Sequence, residues 1–187
     1  MAVVFPQIPI GSQTNVTMKS SSVDQTPFLG GPMQRIKRLG DRWIYEVQCR
    51  PMQSRQAGAF VGALLQGLSD KVLCEIKISG YDLSAFADGT ATSGAGRSIV
   101  HAGGGGIKFR GQYFSLVKDG VRYLHMITSV TGQTLGIVPA LKVPITGGEV
   151  LEFGAPKIEG FLEGGEQTWT VGLVQNLGVS FRIVEAQ

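Results

Sequence analysis

Glycine and proline interrupt this chain so often that only residues 54 to 68 offer the length and spacing a helix needs. Twenty-seven glycines, with no three-residue period of the collagen kind, lie between short apolar runs. Glycine reaches backbone angles closed to other residues, so this distribution belongs to tight turns between strands. The fold class expected is mainly β with one helix (α+β). It is a β-sandwich with a flanking helix, plus a small inserted or appended β-barrel or sandwich.

The strand pattern is clearest from Arg42 to Cys49. Trp43, Tyr45, Val47 and Cys49 fall on one face, and Arg42, Glu46 and Gln48 on the other, with Ile44 the exception. The helix follows. Ser54 stands where a cap is needed, and Ala57, Phe60, Val61, Leu64, Leu65 and Leu68 recur at three- and four-residue spacing. Gly67 weakens the last turn. Val72, Cys74, Ile76 and Ile78 then alternate with Glu75 and Lys77 as a second strand. Strand, helix and strand make one compact unit, with the helix laying its apolar stripe on the sheet.

Residues 80 to 106 carry Gly80, Gly89, Gly94, Gly96 and the run Gly103 to Gly106, which predicts a long flexible loop. Within it, Gly94-Ala95-Gly96-Arg97-Ser98 invites comparison with a phosphate cradle. It lacks the GxxxxGK[ST] pattern, and no helix follows to offer its N-terminus, so phosphate binding is not expected there. Short strands come next. Tyr113 to Val117 and Val121 to Ile127 flank Lys118-Asp119-Gly120, whose Asp-Gly pair signals a hairpin. Val150 to Phe153 is a brief strand. At the end, Trp169, Val171 and Leu173 share a face, Asn176-Leu177-Gly178 makes a turn, and Val179, Phe181 and Ile183 return. The closing strands are expected to rejoin the sheet begun at Trp43. The chain thus divides into an extended arm at 1–33, a first β-unit with the helix at 34–79 plus 167–187, and a glycine-rich loop with a second β-domain at 80–166.

The arm is the unusual segment. Pro6, Pro9, Pro27 and Pro32 restrict its backbone, yet it carries Val3, Val4, Phe5, Ile8, Ile10, Val16, Met18 and Phe28. Apolar side chains on an extended segment need a surface to lie against. Two readings stay open: an edge strand folded back on its own domain, or an inter-subunit arm in which Val3, Val4, Phe5, Ile8 and Ile10 add to a neighbour's sheet.

Charge supports association weakly. Charged residues make up 17%, below the usual ~25%, and chains with few charges tend to hide surface in contacts with other subunits. The net charge of +3 comes from scattered Lys and Arg rather than a dense block, so no nucleic-acid-specific binding is expected. Cys49 and Cys74 each lie in an apolar run and read as buried free thiols. Residues 1 to 13 carry no basic leader and are broken by prolines, a poor signal peptide. No run approaches the ~20 apolar residues of a membrane span. A soluble protein made in a cytoplasm is expected.

Catalytic patterns are weak. No CxxC, HxH, HExxH or GxSxG occurs, and of the two histidines His125 sits in a strand and reads as hydrogen-bonded structure. Glu159, Glu163 and Glu166, near Phe161 and Trp169, are the least implausible carboxylate group, and a solvated charged turn explains them better. Tyr81 and Phe86 flank the glycine-rich loop. They offer a surface for sugar or protein, or they pin the loop to its own core. No enzymatic activity, cofactor or metal is expected.

The order of motifs adds a resemblance. Arg38-Leu39-Gly40-Asp41-Arg42-Trp43, then Pro51, then the helix with Ala57, Phe60, Leu64, Leu65 and Gly67, resembles minor tail proteins of long-tailed bacteriophages. Gly111-Gln112-Tyr113-Phe114-Ser115 with Asp119 to His125 is similar to their middle β-domain, and Ser180 to Glu185 to their closing strand. The resemblance implies a distal-tail-like structural protein of the virion, assembled in the host bacterial cytoplasm. Its copies would form a homo-oligomer, commonly a hexameric ring, joining the tail tube protein to the tail hub protein. The alternative is a virion binding module whose second β-domain recognises a host-surface glycan or protein.

Overall fold

The computed structural model describes residues 2–28, 30–36, 38, 40–77, 83, 85–165, 169–171 and 176–186. In chain order the strands open with β1 (Val3–Val4), β2 (Gln13–Lys19), β3 (Val23–Gln25), β4 (Gln34–Ile36), β5 (Arg42–Gln48) and β6 (Met52–Gln53). Helix α1 (Ser54–Gly67) and β7 (Val72–Glu75) follow. Then come β8 (Gly89–Ala95), β9 (Ser98–Gly103), β10 (Tyr113–Lys118), β11 (Val121–Thr131), β12 (Thr134–Val138) and β13 (Val150–Glu152). The chain closes with β14 (Lys157–Leu162), β15 (Trp169–Val171) and β16 (Asn176–Glu185). The protein is mostly β with one helix among the described residues, as its glycine punctuation requires.

Three sheets result. An eight-stranded sheet runs β1-β7-β14-β16-β5-β2, with β6 and β15 also paired to β16. A closed barrel runs β10-β11-β12-β9-β8-β13, and β3 and β4 form a separate two-stranded ribbon. The large sheet is centred on β16, which pairs Phe181 with Val47 and Ile183 with Tyr45 on one side and Ile183 with Leu162 on the other. Ile44, the exception to the alternation of β5, is buried like Trp43 and Tyr45.

Helix α1 covers this sheet with Ala57, Phe60, Ala63 and Leu64, while Leu65 and Leu68 face solvent. The capping expectation is corrected: Ser54 is the first helical residue, and the position before it is Gln53, which makes no side-chain cap bond. Gly67 does more than weaken a turn. A Cβ there would collide with Val72 Cγ1 and meet Leu162 Cδ1 at 3.0 Å, so glycine lets the helix end sit directly on β7 and β14.

Four sequence expectations change. Residues 2–19 are not a free arm: β1 runs parallel to β7, with Val3 opposite Val72, and β2 pairs with β5 from Gln13↔Gln48 to Lys19↔Arg42. The stretch expected to be a long loop contains the β8–β9 hairpin of the barrel, pairing Gly89 with Gly103 and Ala95 with Ser98. The second unit also ends earlier than residue 166, because β14 belongs to the large sheet, pairing Ile158 with Cys74. At the C-terminus, Asn176, Leu177 and Gly178 are strand rather than turn, since Val171 pairs with Leu177. Ile78 and Leu173 lie outside the described residues.

The barrel core is Ala91, Ile99, Phe114, Leu116, Ile127, Leu135, Ile137, Leu151 and Phe153. Its β10–β11 hairpin turns as the Asp-Gly pair predicts, with φ of 52° at Asp119 and 77° at Gly120. His125 is fully buried there, stacked on Phe114, with Nδ1 3.1 Å from the Pro139 carbonyl oxygen. Burial holds its pKa down to about 4, so it is neutral at pH 7. A lowered histidine pKa lets the unfolded chain take up the proton first. Its effect is therefore absent above the ordinary value of ~6.5 and grows as pH falls toward the folded value. The urea midpoint should drop between ~pH 7 and ~pH 5, reflecting a loss of about 2 kcal/mol from this group. A midpoint that stays level across that interval would show His125 to be protonated without penalty.

Candidate assembly surface

The barrel and the large sheet meet through buried polar groups rather than a linker. Glu185, at the end of β16, is 2% exposed; its Oε2 accepts from the Trp43 backbone N–H at 3.1 Å and its Oε1 from that of Leu124 at 3.0 Å. Lys142 Nζ lies 2.8 Å from the same carboxylate. Trp43 Nε1–H donates to the Leu124 carbonyl at 3.0 Å, and its ring packs edge-on against Tyr113 at 5.4 Å. Glu159 Oε2 accepts the Arg122 N–H at 2.9 Å, and Ser115 Oγ accepts the Lys157 N–H at 2.6 Å. Buried carboxylates are stable only with such partners. The two units are held in one fixed relation.

That frame carries the β3–β4 ribbon as a projection. Both strands pair only with each other, with Val23 opposite Ile36, and every described residue from 23 to 38 is exposed. The ribbon is nevertheless apolar in places: Phe28 is fully exposed, Met33 60%, Val23 42% and Ile36 38%. An Arg35–Asp24 pair at 2.6 Å ties its two strands together. At the root, Asp41 accepts from the Ser21 N–H at 2.9 Å and the Ser20 hydroxyl at 3.1 Å, which lowers its pKa. A two-stranded ribbon is marginal by itself. Four apolar side chains held away from both cores are what a contact surface requires.

The sheet edge adds a second element. Strand β2 ends the large sheet and has no partner on its outer side among the described residues. Val16 and Met18 turn toward the core, leaving Asn15, Thr17 and Lys19 outward. A seven-residue edge strand of this kind accepts another strand.

The five proposed arm residues divide. Phe5 and Ile8 belong to the core of this same chain, Phe5 packing edge-on against Phe181 at 5.0 Å. Val3 is half-buried in its pairing with β7. Only Val4, 70% exposed, and Ile10, 85% exposed, present apolar surface. Of the two readings of residues 1–33, the edge folded back on its own sheet describes β1 and β2, and the ribbon, whose β3 falls in that segment and whose β4 lies just beyond it, is the free projection. The signal was present in Val23, Phe28, Met33 and Ile36, separated by turn residues.

The loop aromatics come out differently again. Tyr81 lies outside the described residues. Phe86 is half-buried against the barrel core and packs edge-on with Phe109 at 6.3 Å, contacts that tie its loop to the barrel. Lys108 completes that closure. Its Nζ donates to the carbonyls of Gly104 at 2.5 Å and Gly105 at 2.7 Å, and sits 4.2 Å from the Phe153 ring centre and 5.0 Å from that of Phe86. Burial lowers the pKa of this ammonium.

The remaining candidates for chemistry are engaged elsewhere. Glu159 is buried and also faces Lys71 at 3.7 Å, whereas Glu163 pairs with Arg182 at 2.6 Å; Glu166 lies outside the described residues. Cys49 and Cys74 are free and buried, and burial raises the pKa of both. No three or more His, Cys, Asp or Glu groups gather as a metal site among the described residues, and no described helix is long and apolar enough to cross a membrane. No protein-family model matches the sequence, and no curated protein matches it.

Proposed function

We propose that this protein is a structural subunit of a bacteriophage tail tip, forming a homo-oligomeric ring, commonly hexameric, between the tail tube protein and the tail hub. The carrying observation is the β3–β4 ribbon: apolar, exposed and anchored at one end to a rigid two-unit body. The free edge of β2 offers the complementary kind of contact. The motif order from Arg38 to Gly67 supplies the virion context by resemblance. In a ring each copy uses one surface to give and another to receive, a head-to-tail contact that closes. A projecting ribbon and the open edge of β2 offer two different kinds of surface for that geometry.

The experiment is the double substitution Phe28→Ser, Met33→Ser. Burying side chains of this size at an interface contributes about 1.5–3 kcal/mol each, so each subunit contact should weaken about a hundredfold or more. Sedimentation should show the ring replaced by monomer, while the urea midpoint of the monomer stays within about 0.5 kcal/mol because both residues are exposed. A variant that assembles like the wild type would remove the ribbon from the interface.

A further inference from the structure

An open cleft of about 340 Å³ separates the ribbon root from the barrel. Arg38 reaches it from the ribbon side and Arg97 from the turn between β8 and β9, with Gly40, Pro139 and Ala140 as small neutral walls. Two further cations at its rim are already neutralised, Arg35 by Asp24 and Lys142 by Glu185. Neither Arg38 nor Arg97 forms an ion pair among the described residues; Arg97 acts on Asp41 only through its field. Two arginines therefore share the cleft with a single carboxylate, and Ser20 and Ser22 line it with their hydroxyls bonded to each other and, from Ser20, to Asp41.

We infer that this cleft is a carboxylate-binding site, taking one Asp or Glu side chain from a partner chain between Arg38 and Arg97. The charge balance sets the class of ligand. One unopposed positive charge matches one carboxylate, whereas a nucleic-acid backbone would need a row of cations. Guanidinium forks favour the planar carboxylate geometry. The position adds a consequence: a carboxylate held by both arginines bridges ribbon and barrel, fixing the ribbon's direction as the contact forms. This deepens the assembly reading by naming the chemistry of the partner at the ribbon root, and it rests on that reading only for the identity of the partner.

The test is a titration of the full-length Phe28→Ser, Met33→Ser protein with the blocked peptide acetyl-Gly-Asp-Gly-amide, followed by NMR at the arginine Nε–H groups. Saturable shifts are expected at Arg38 and Arg97 and not at Arg55, which is exposed on α1. Arg38→Gln and Arg97→Gln should each weaken binding about tenfold or more, as loss of a charge-assisted hydrogen bond does. Arg97→Lys, which keeps the charge and loses the fork, should fall between. Equal, unsaturating shifts at Arg55 would overturn the site, as would unchanged affinity in both Gln variants. Inorganic phosphate binding tenfold tighter than the peptide would overturn the carboxylate assignment. Wild-type assembly is scored separately by sedimentation. Rings without peptide binding overturn this site alone, and peptide binding without rings overturns the assembly reading and leaves the site standing.

Discussion

Glu185→Ala should lower the unfolding free energy by about 3–5 kcal/mol, the largest loss expected from any single polar substitution here. The carboxylate is buried, and three groups depend on it: the N–H groups of Trp43 and Leu124 and the ammonium of Lys142. Removing it leaves two buried donors without an acceptor and a cation without a counter-charge. Because Trp43 lies in the large sheet and Leu124 in the barrel, the damage falls on the junction. The two units should then unfold in separate steps rather than one. Glu185→Gln retains one accepting oxygen and should lose less, and adding Lys142→Met to it should recover part of the loss by removing the orphaned charge. Urea unfolding followed by circular dichroism measures both effects. A loss under about 1 kcal/mol, with a single transition, would mean water replaces the carboxylate easily.

Gly160→Ala is the second large effect, and its cause is backbone geometry. Gly160 pairs with Glu185 where β14 meets β16. A Cβ there would collide with the Val184 carbonyl oxygen, and would stand 2.7 Å from its carbon and 3.0 Å from Glu185 Cα. All three are main-chain atoms, so no rotamer change relieves the clash. The strands must separate locally, at a cost of about 3 kcal/mol. Gly165→Ala is the matched control, since nothing lies within 4 Å of its Cβ, and should stay within about 0.5 kcal/mol. Because separation at Gly160 also shifts Glu185, the two losses should not add. Equal midpoints for the two glycine variants would contradict the assigned register.

The two sites show why parts of the fold were legible and parts were not. Strand β5, helix α1 and the Asp119-Gly120 hairpin follow from local periodicity and turn chemistry, which short windows contain. The β8–β9 hairpin did not follow. Strand β8 is written in Gly, Thr, Ala and Ser alone, and from the two strands only Ala91 and Ile99 reach the core. At Gly94 even a Cβ would press on Ile145 Cδ1 at 2.7 Å, so this position is small because the barrel is tight there. Gly160 likewise gave no sign in sequence of the backbone lying against it.

The assembly surface depends on non-local facts as well. Phe5 and Phe28 are both aromatics in a proline-broken segment, yet one is buried against Phe181 and the other is fully exposed. Composition cannot separate them, because the difference is whether a strand of the same chain stands beside each. The pairing of β1 with β7 captures Phe5 and leaves the ribbon outside. Arg97 was noticed for a glycine-flanked pattern with the wrong spacing for a P-loop. Its partner across the cleft, Arg38, lies 59 positions earlier in the chain.

The most direct measurement is imaging of the purified wild-type protein by negative-stain electron microscopy, with its mass in solution determined alongside. The account predicts closed rings with a central channel and a mass that is a fixed multiple of the 19.9 kDa chain. A single compact particle of one chain's mass at every concentration, with the ribbon's apolar side chains still open to water, would contradict it.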